Sequence, residues 1–191
     1  MRTLRQIRST ARAGFSIVEL LAVVIVLGMM ATLVAVDWRA ILPRTELNST
    51  VRNIAATISG CRFDAIARNA EFGILYDLEE NTWQVVSPFM MGGGLAPSFA
   101  ERHKFTPMEC KSSVEIQSIW VEGIEYVENP TDDGLYVRFD PLGGSSGHTI
   151  VLYQPDYDNH FTIEVLALTG LIRMHKGVHH RELVDDGSFG N

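Results

Sequence analysis

The stretch Gly14-Phe15-Ser16-Ile17-Val18-Glu19-Leu20-Leu21 lies between a basic leader and a long apolar run. Residues 1–13 carry four arginines and no acid, and residues 20–36 carry no charge. The segment 15–36 therefore predicts an apolar helix of about 33 Å, which is long enough to cross a bilayer. Glu19 stands alone at its start, where a carboxylate in the membrane costs roughly 2.5–3.5 kcal/mol, so we expect this acid to have a specific task.

Three interpretations of this N-terminus compete. A secretory signal peptide has an apolar core of about 7–15 residues and a small-x-small cleavage site after it, whereas here the core is longer and no such site follows Val36. A plain signal anchor, with its arginines held in the cytoplasm, accounts for the length and the charge. It leaves Glu19 and the Gly14-Phe15 junction unexplained.

The third interpretation is a resemblance. The quoted stretch resembles the cleavage and methylation motif of type IV prepilins, which type II secretion pseudopilins share. The resemblance implies that a membrane prepilin peptidase cuts between Gly14 and Phe15 and then methylates the new amine of Phe15. It makes Glu19 the fifth mature residue, the position of the family's acid.

The same resemblance implies a location and a set of partners. The chain would cross the inner (cytoplasmic) membrane once, hold its C-terminal domain outside the cytoplasm, and enter a filament. Its partners would be prepilin peptidase, other pilin or pseudopilin subunits, an inner-membrane assembly platform and membrane lipid.

Two roles are open to Glu19. Locally, a carboxylate one turn after Phe15 favours the positive end of its own helix and the free amine. In the role that the resemblance implies, Glu19 pairs with the Phe15 amine of a neighbouring subunit and sets the register of assembly.

Composition limits the remaining possibilities. The chain has 191 residues and a formal net charge of −7, a length that suits one domain plus an anchor. Removing residues 1–14 takes away four arginines and no acid, so the formal charge goes from −7 to −11. An acidic body argues against nucleic acid as a partner, because nucleic-acid binding usually needs a basic face.

The order of predicted elements is α+β, with a long N-terminal helix first and then only strands. We divide the chain into a leader (1–14), a transmembrane helix (15–43), a periplasmic pilin-like domain (44–176) and a flexible tail (177–191). Pro43 predicts a kink or a short break in the helix. Beyond it, apolar residues recur at helical spacing and predict one buried stripe: Leu47, Val51, Ile54, Ile58, Cys61 and Ala65.

After Gly73 the pattern changes to strands, which we expect to pack as one antiparallel sheet on the helix. A hairpin is predicted around residues 79–81, a long loop over 88–109, and a last strand after the Thr169-Gly170 turn. Further strands are predicted near 114–120, 135–139, 149–153 and 161–165.

This order of elements, with Phe139-Asp140-Pro141-Leu142-Gly143 and Leu168-Thr169-Gly170, resembles the domain of H-type pseudopilins and FimT-like minor pilins. Two positions depart from that family. Val36 stands where a proline is usual, and Leu171 stands where an arginine commonly follows the Thr-Gly turn.

No catalytic, metal or cofactor site is predicted, and the chain is not expected to be an enzyme. His175, His179 and His180 lie near the tail without a cysteine or acid at ligand spacing. The segment 156–159 lacks the glycine and the closing glutamate of an EF-hand calcium loop. The glycine-rich segment 143–147 lacks the Lys-Ser/Thr of a phosphate-binding loop.

The two cysteines admit two interpretations. A disulfide between Cys61 and Cys110 would close 48 intervening residues and could stabilise the domain by about 4 kcal/mol. Alternatively, Cys61 is a small buried apolar residue on the helix stripe.

The sequence thus predicts a minor pilin or pseudopilin, a structural subunit of a type II secretion pseudopilus or a type IV pilus. The alternative is a membrane-anchored periplasmic binding module that does not polymerise. Secretion pseudopilus and type IV pilus are not distinguished by these residues.

Overall fold

The computed structural model describes residues 16–179, apart from the side chains of residues 32–44. In this range one α-helix, α1 (Ile17–Arg68), precedes nine strands. The strands are β1 (Phe72–Asp77), β2 (Thr82–Val86), β3 (Met108–Glu109), β4 (Glu115–Val121), β5 (Ile124–Tyr126), β6 (Leu135–Phe139), β7 (His148–Gln154), β8 (Asn159–Val165) and β9 (Ile172–Lys176). The α+β order is confirmed. By compactness the chain divides into two units between Leu42 and Pro43.

Helix α1 continues through Pro43. The short break that we expected there is absent. A proline inside a helix removes its own N–H from the hydrogen bonds and crowds the carbonyl four residues earlier. The many remaining bonds of a 52-residue helix can tolerate that loss.

The second half of α1 carries the predicted apolar stripe. Its six residues recur at intervals of three and four, so they share one face of the helix. All six are 7% exposed or less: Leu47, Val51, Ile54, Ile58, Cys61 and Ala65. The predicted stripe is confirmed.

The strands form two antiparallel sheets rather than the single sheet we expected. The first has the order β3-β2-β1-β6 and the second β5-β4-β7-β8-β9. Strand β6 returns to pair with β1, and the loop after Phe139 then carries the chain into the second sheet. Alternation of apolar residues predicts which face of a strand is buried but not which strand is its partner, so it could not show this division.

One hydrophobic core joins the helix stripe to both sheets. Ile54 and Ile58 of α1 share it with Ile74 of the first sheet and Ile150 of the second. Polar contacts fix the helix further, because the indole N–H of Trp83 donates to Thr57 Oγ1 at 3.1 Å. The helix therefore serves as the common support of the two sheets.

The hairpin β1–β2 confirms the predicted turn. The Asp77 carboxylate accepts the backbone N–H groups of Glu79 and Glu80, both at 3.0 Å. Asn81 completes the turn with φ of 53°, in the left-handed region that asparagine tolerates. The loop before β3 is mostly irregular, as predicted, with a short 3-10 helix at Phe99–Glu101. Strands β3 and β5 were not predicted, since two and three residues are too few for a periodic signal.

Candidate functional site

The first turn of α1 contains the acid that the sequence singles out. The carbonyl of Ser16 accepts the backbone N–H groups of Glu19 and Leu20, at 3.0 and 3.1 Å. Glu19 lies in this first turn and is exposed. A carboxylate in a first turn is stabilised by the positive end of the helix dipole. Gly14 and Phe15, the predicted cleavage junction, lie outside the described residues.

The first part of α1 exposes a continuous apolar surface. Eleven large apolar side chains of residues 17–30 are between 49% and 81% exposed: Ile17, Val18, Leu20, Leu21, Val23, Val24, Ile25, Val26, Leu27, Met29 and Met30. Contiguous exposed apolar surface of this extent marks a site that binds protein or membrane. Within the part of the chain that the structure describes, no helix has the length and apolar character that a membrane crossing requires.

The two cysteines do not meet. Both are free thiols, with Cys61 buried and Cys110 half-buried. The backbone N–H of Lys111, the residue after Cys110, donates to Thr50 Oγ1 at 3.4 Å. Thr50 and Cys61 are eleven residues apart on α1, which is about 16 Å along a helix. A disulfide requires Cα atoms within about 7 Å, so the predicted Cys61–Cys110 bond is corrected to two separate thiols.

Both thiols are shielded from water. Burial raises the pKa of Cys61, and it raises that of Cys110 to about 12. The neutral thiol is therefore the form at pH 7, and the thiolate is the reactive form of cysteine. In this environment Cys61 acts as a small apolar residue of the core, which is the second of the two interpretations.

The two loop motifs that carry the domain resemblance meet at one side chain of α1. Arg62 Nε donates to the carbonyl of Gly143 at 2.9 Å. A Cβ atom added to Gly170 would lie 2.7 Å from both Arg62 Cδ and the Gly143 carbonyl oxygen. The turns at Gly143 and Gly170 thus both pack against Arg62. The sequence does not single out Arg62, because contacts between distant loops leave no periodic signal.

The acidic segment 156–159 forms a tight turn. Pro155–Tyr157 is a short 3-10 helix, and Asp158 ends it in the left-handed conformation with φ of 49°. The Tyr153 hydroxyl donates to Asp158 Oδ1 at 3.5 Å. The turn leads directly into β8.

Two of the three tail histidines, His175 and His179, lie beside an acid that sequence spacing did not reveal. Glu164 of β8, His175 of β9 and His179 have ligand atoms that all lie within 4.8 Å of one another. The prediction considered only neighbours along the chain, whereas Glu164 comes from the adjacent strand. His180 lies outside the described residues.

A pocket of about 440 Å³ opens at one end of strands β4, β7 and β8 of the second sheet and is lined by Trp120, His148 and Glu164, among others. His148 is buried, and its Nδ1 lies 2.8 Å from the Ser146 carbonyl, which fits an N–H donor at that atom. Burial lowers the pKa of His148 to about 4, so the ring is neutral at pH 7. Its Nε2 has no hydrogen-bond partner among the described residues.

Similar solved structures include the minor pseudopilin EpsH from the type II secretion system of Vibrio cholerae. It aligns with a TM-score of 0.52 and 11% identity, over 71% of this chain and 98% of that chain. The chain has a pilin-like fold. A second EpsH structure aligns with a TM-score of 0.49 and 11% identity, over 69% of this chain and 97% of that one. The type IV minor pilin FimU of Pseudomonas aeruginosa aligns with a TM-score of 0.48 and 15% identity, over 69% and 90%.

The sequence matches no protein-family model and no curated protein. Beside the pilin-like fold, two features stand out as sites: the exposed apolar start of α1 with Glu19, and the cluster of Glu164, His175 and His179.

Proposed function

We propose that this protein is a minor pilin or pseudopilin, a structural subunit that joins a type IV pilus or a type II secretion pseudopilus. The observation that carries the proposal is the exposed apolar surface of residues 17–30 on the helix that leads into a pilin-like domain. The pilin-like fold shared with the similar structure of the minor pseudopilin EpsH supports the same role.

Burial of the apolar surface of residues 17–30 is favoured, because exposing apolar area to water costs a free energy of roughly 25 cal/mol for each Å². In this proposal, membrane lipid buries this surface before assembly and neighbouring helices bury it after assembly. In this proposal the chain spans the inner membrane once through residues 15–43, with its domain outside the cytoplasm.

Processing is the next step of the proposal. Prepilin peptidase removes residues 1–14 and methylates the amine of Phe15. The resulting amine lies one helical turn from Glu19, where opposite charges attract. In a bundle of subunits, Glu19 pairs with the Phe15 amine of its neighbour, which offsets the cost of a carboxylate in an apolar environment. An inner-membrane platform supports this assembly.

The experiment is incorporation of a Glu19→Ala variant into filaments. We expect the variant to be cleaved and membrane-bound, yet depleted at least tenfold from sheared or cross-linked filaments. Glu80→Ala, which removes an exposed carboxylate from the β1–β2 turn, is the matched control and should be incorporated normally.

Two results would contradict the proposal. Equal incorporation of the Glu19→Ala variant and the control would exclude pairing between subunits through Glu19. Absence of the unsubstituted protein from every filament fraction would instead favour the alternative, a membrane-anchored binding module that does not polymerise.

A further inference from the structure

We propose that Glu164, His175 and His179 form a binding site for a divalent transition-metal ion, with Zn²⁺ as the expected occupant. The three residues offer one carboxylate and two imidazoles, and their ligand atoms all lie within 4.8 Å of one another. Zn²⁺ is bound by histidine nitrogen and carboxylate oxygen, whereas Ca²⁺ and Mg²⁺ prefer oxygen alone.

The register of the second sheet brings the first two ligands together. Glu164 pairs with Arg173, and Thr162 pairs with His175, across β8 and β9. Residues two apart on a strand point to the same face, so Glu164 and His175 are diagonal neighbours on one face. Ile163 lies between them in register and points to the core on the opposite face.

A turn after β9 positions the third ligand, His179. Gly177 has φ of 84°, a left-handed conformation that glycine adopts without strain. The Thr162 hydroxyl donates to the Gly177 carbonyl at 2.7 Å and accepts the His179 backbone N–H at 3.1 Å. These two bonds hold His179 beside β8.

The distances fit a shared ion better than a direct hydrogen bond. His175 Nε2 lies 3.5 Å from Glu164 Oε2, which is longer than a typical N–H···O bond. Two ligand atoms of a tetrahedral zinc with bonds of about 2.0–2.1 Å are separated by roughly 3.3 Å. His175 Nε2 is buried and has no hydrogen-bond partner among the described residues. A metal ion bound at this position would be coordinated by the lone pair of His175 Nε2.

Charge and exposure favour the same arrangement. The Glu164 side chain is only 7% exposed, and a buried carboxylate is costly unless a positive charge lies beside it. His179 is exposed, and its ring stacks on His175 with centroids 4.0 Å apart. The open side leaves room for water as a fourth ligand, as in zinc sites with three protein ligands. The ion would tie β8, β9 and the segment after β9 together.

The test is Zn²⁺ binding to the full chain in detergent, measured by competition with a chromophoric chelator. We expect saturable binding of one ion, weakened at least tenfold by His175→Ala, His179→Ala or Glu164→Gln. His160→Ala is the control, because His160 lies on β8 and stacks on Tyr153, outside the cluster. Its affinity should match that of the unsubstituted chain. Zn²⁺ should raise the melting temperature of the chain and of this control, but not of His179→Ala.

Three results would overturn the proposal. The first is the absence of saturable binding. The second is unchanged affinity of a folded Glu164→Gln variant, since the ion would then be held by the tail histidines alone. The third is unchanged affinity of His179→Ala, which decides the question if the buried Glu164→Gln variant does not fold.

Discussion

At the scale of single residues, the domain holds a histidine that burial keeps neutral. His148 is 2% exposed and lies between the rings of Tyr76 and Phe139, with centroids 6.1 and 6.2 Å away. Protonating it would place a charge away from water, and this burial is why its pKa falls to about 4. In the sequence His148 merely precedes an apolar strand, and nothing there indicates its burial.

The first prediction concerns the pH dependence of stability through His148. The folded pKa of about 4 lies below the unfolded value of about 6.5, so the unfolded chain binds the proton more tightly. The contribution of His148 to the free energy of unfolding is fully present above pH ~6.5 and is lost as the pH falls through about 4. The loss amounts to roughly 3 kcal/mol. The measurement is urea unfolding of the purified chain at pH 7.5 and pH 4.5.

His148→Asn is the comparison, because asparagine can still donate to the Ser146 carbonyl but does not titrate in this range. The variant should lose less stability between the two pH values than the original chain. Equal losses in both proteins would show that His148 does not set this dependence.

At the scale of elements, Arg62 of α1 is where two turns from different parts of the chain meet. It bonds the Gly143 carbonyl at 2.9 Å, and the Gly170 turn packs against its side chain. Gly170 has φ of 60°, and its N–H donates to the Leu166 carbonyl at 2.7 Å. Both turns favour glycine because Gly143 and Gly170 adopt positive φ angles of 89° and 60°. At Gly170 the Arg62 side chain and the Gly143 carbonyl also leave too little space for a Cβ atom.

The second prediction is that Gly170→Ala destabilises the domain. A left-handed conformation costs a non-glycine residue about 1–2 kcal/mol, and the added methyl would lie 2.7 Å from Arg62 Cδ and the Gly143 oxygen. We therefore expect a loss of roughly 1–3 kcal/mol and a melting temperature several degrees lower. Thermal unfolding followed by circular dichroism measures it.

Gly92→Ala is the matched control, because a Cβ atom at Gly92 would have no atom within 4 Å. Its melting temperature should stay within about one degree of the original. A Gly170→Ala variant as stable as this control would show that the turn relaxes freely and that the packing on Arg62 contributes little.

At the scale of the whole molecule, the chain combines an exposed apolar helical segment with an acidic, well-packed domain. Large apolar side chains of residues 17–30 are exposed, whereas the domain buries one core shared by the second half of α1 and both sheets. Exposed apolar surface of this extent marks a site that binds protein or membrane, which is the physical basis for proposing that the protein assembles with others.

The third prediction concerns processing of the whole chain. If prepilin peptidase acts as proposed, the membrane-bound protein begins at a methylated Phe15 and lacks residues 1–14. Gly14→Glu should block cleavage, because the side chain would prevent close approach of the backbone to the protease. Intact-mass spectrometry of the membrane fraction distinguishes the two forms.

Ala11→Glu is the control for this experiment, since it adds the same carboxylate three residues upstream of Gly14. It should leave cleavage intact. A mature chain that begins at Met1, or at a residue beyond Val36, would contradict the proposed processing.

The sequence alone determined the features that depend on near neighbours. The spacing of Leu47, Val51 and Ile58 predicted the buried face of α1, and alternation predicted most of the strands, because periodicity is a local property of a helix or strand. Only the tertiary structure decided that the strands divide into two sheets and that Cys61 and Cys110 lie apart. Only the tertiary structure also places Gly143 and Gly170 against Arg62, and Glu164 beside His175 and His179. These contacts join residues far apart in the chain, and their formation depends on which strands pair, which a local pattern does not encode.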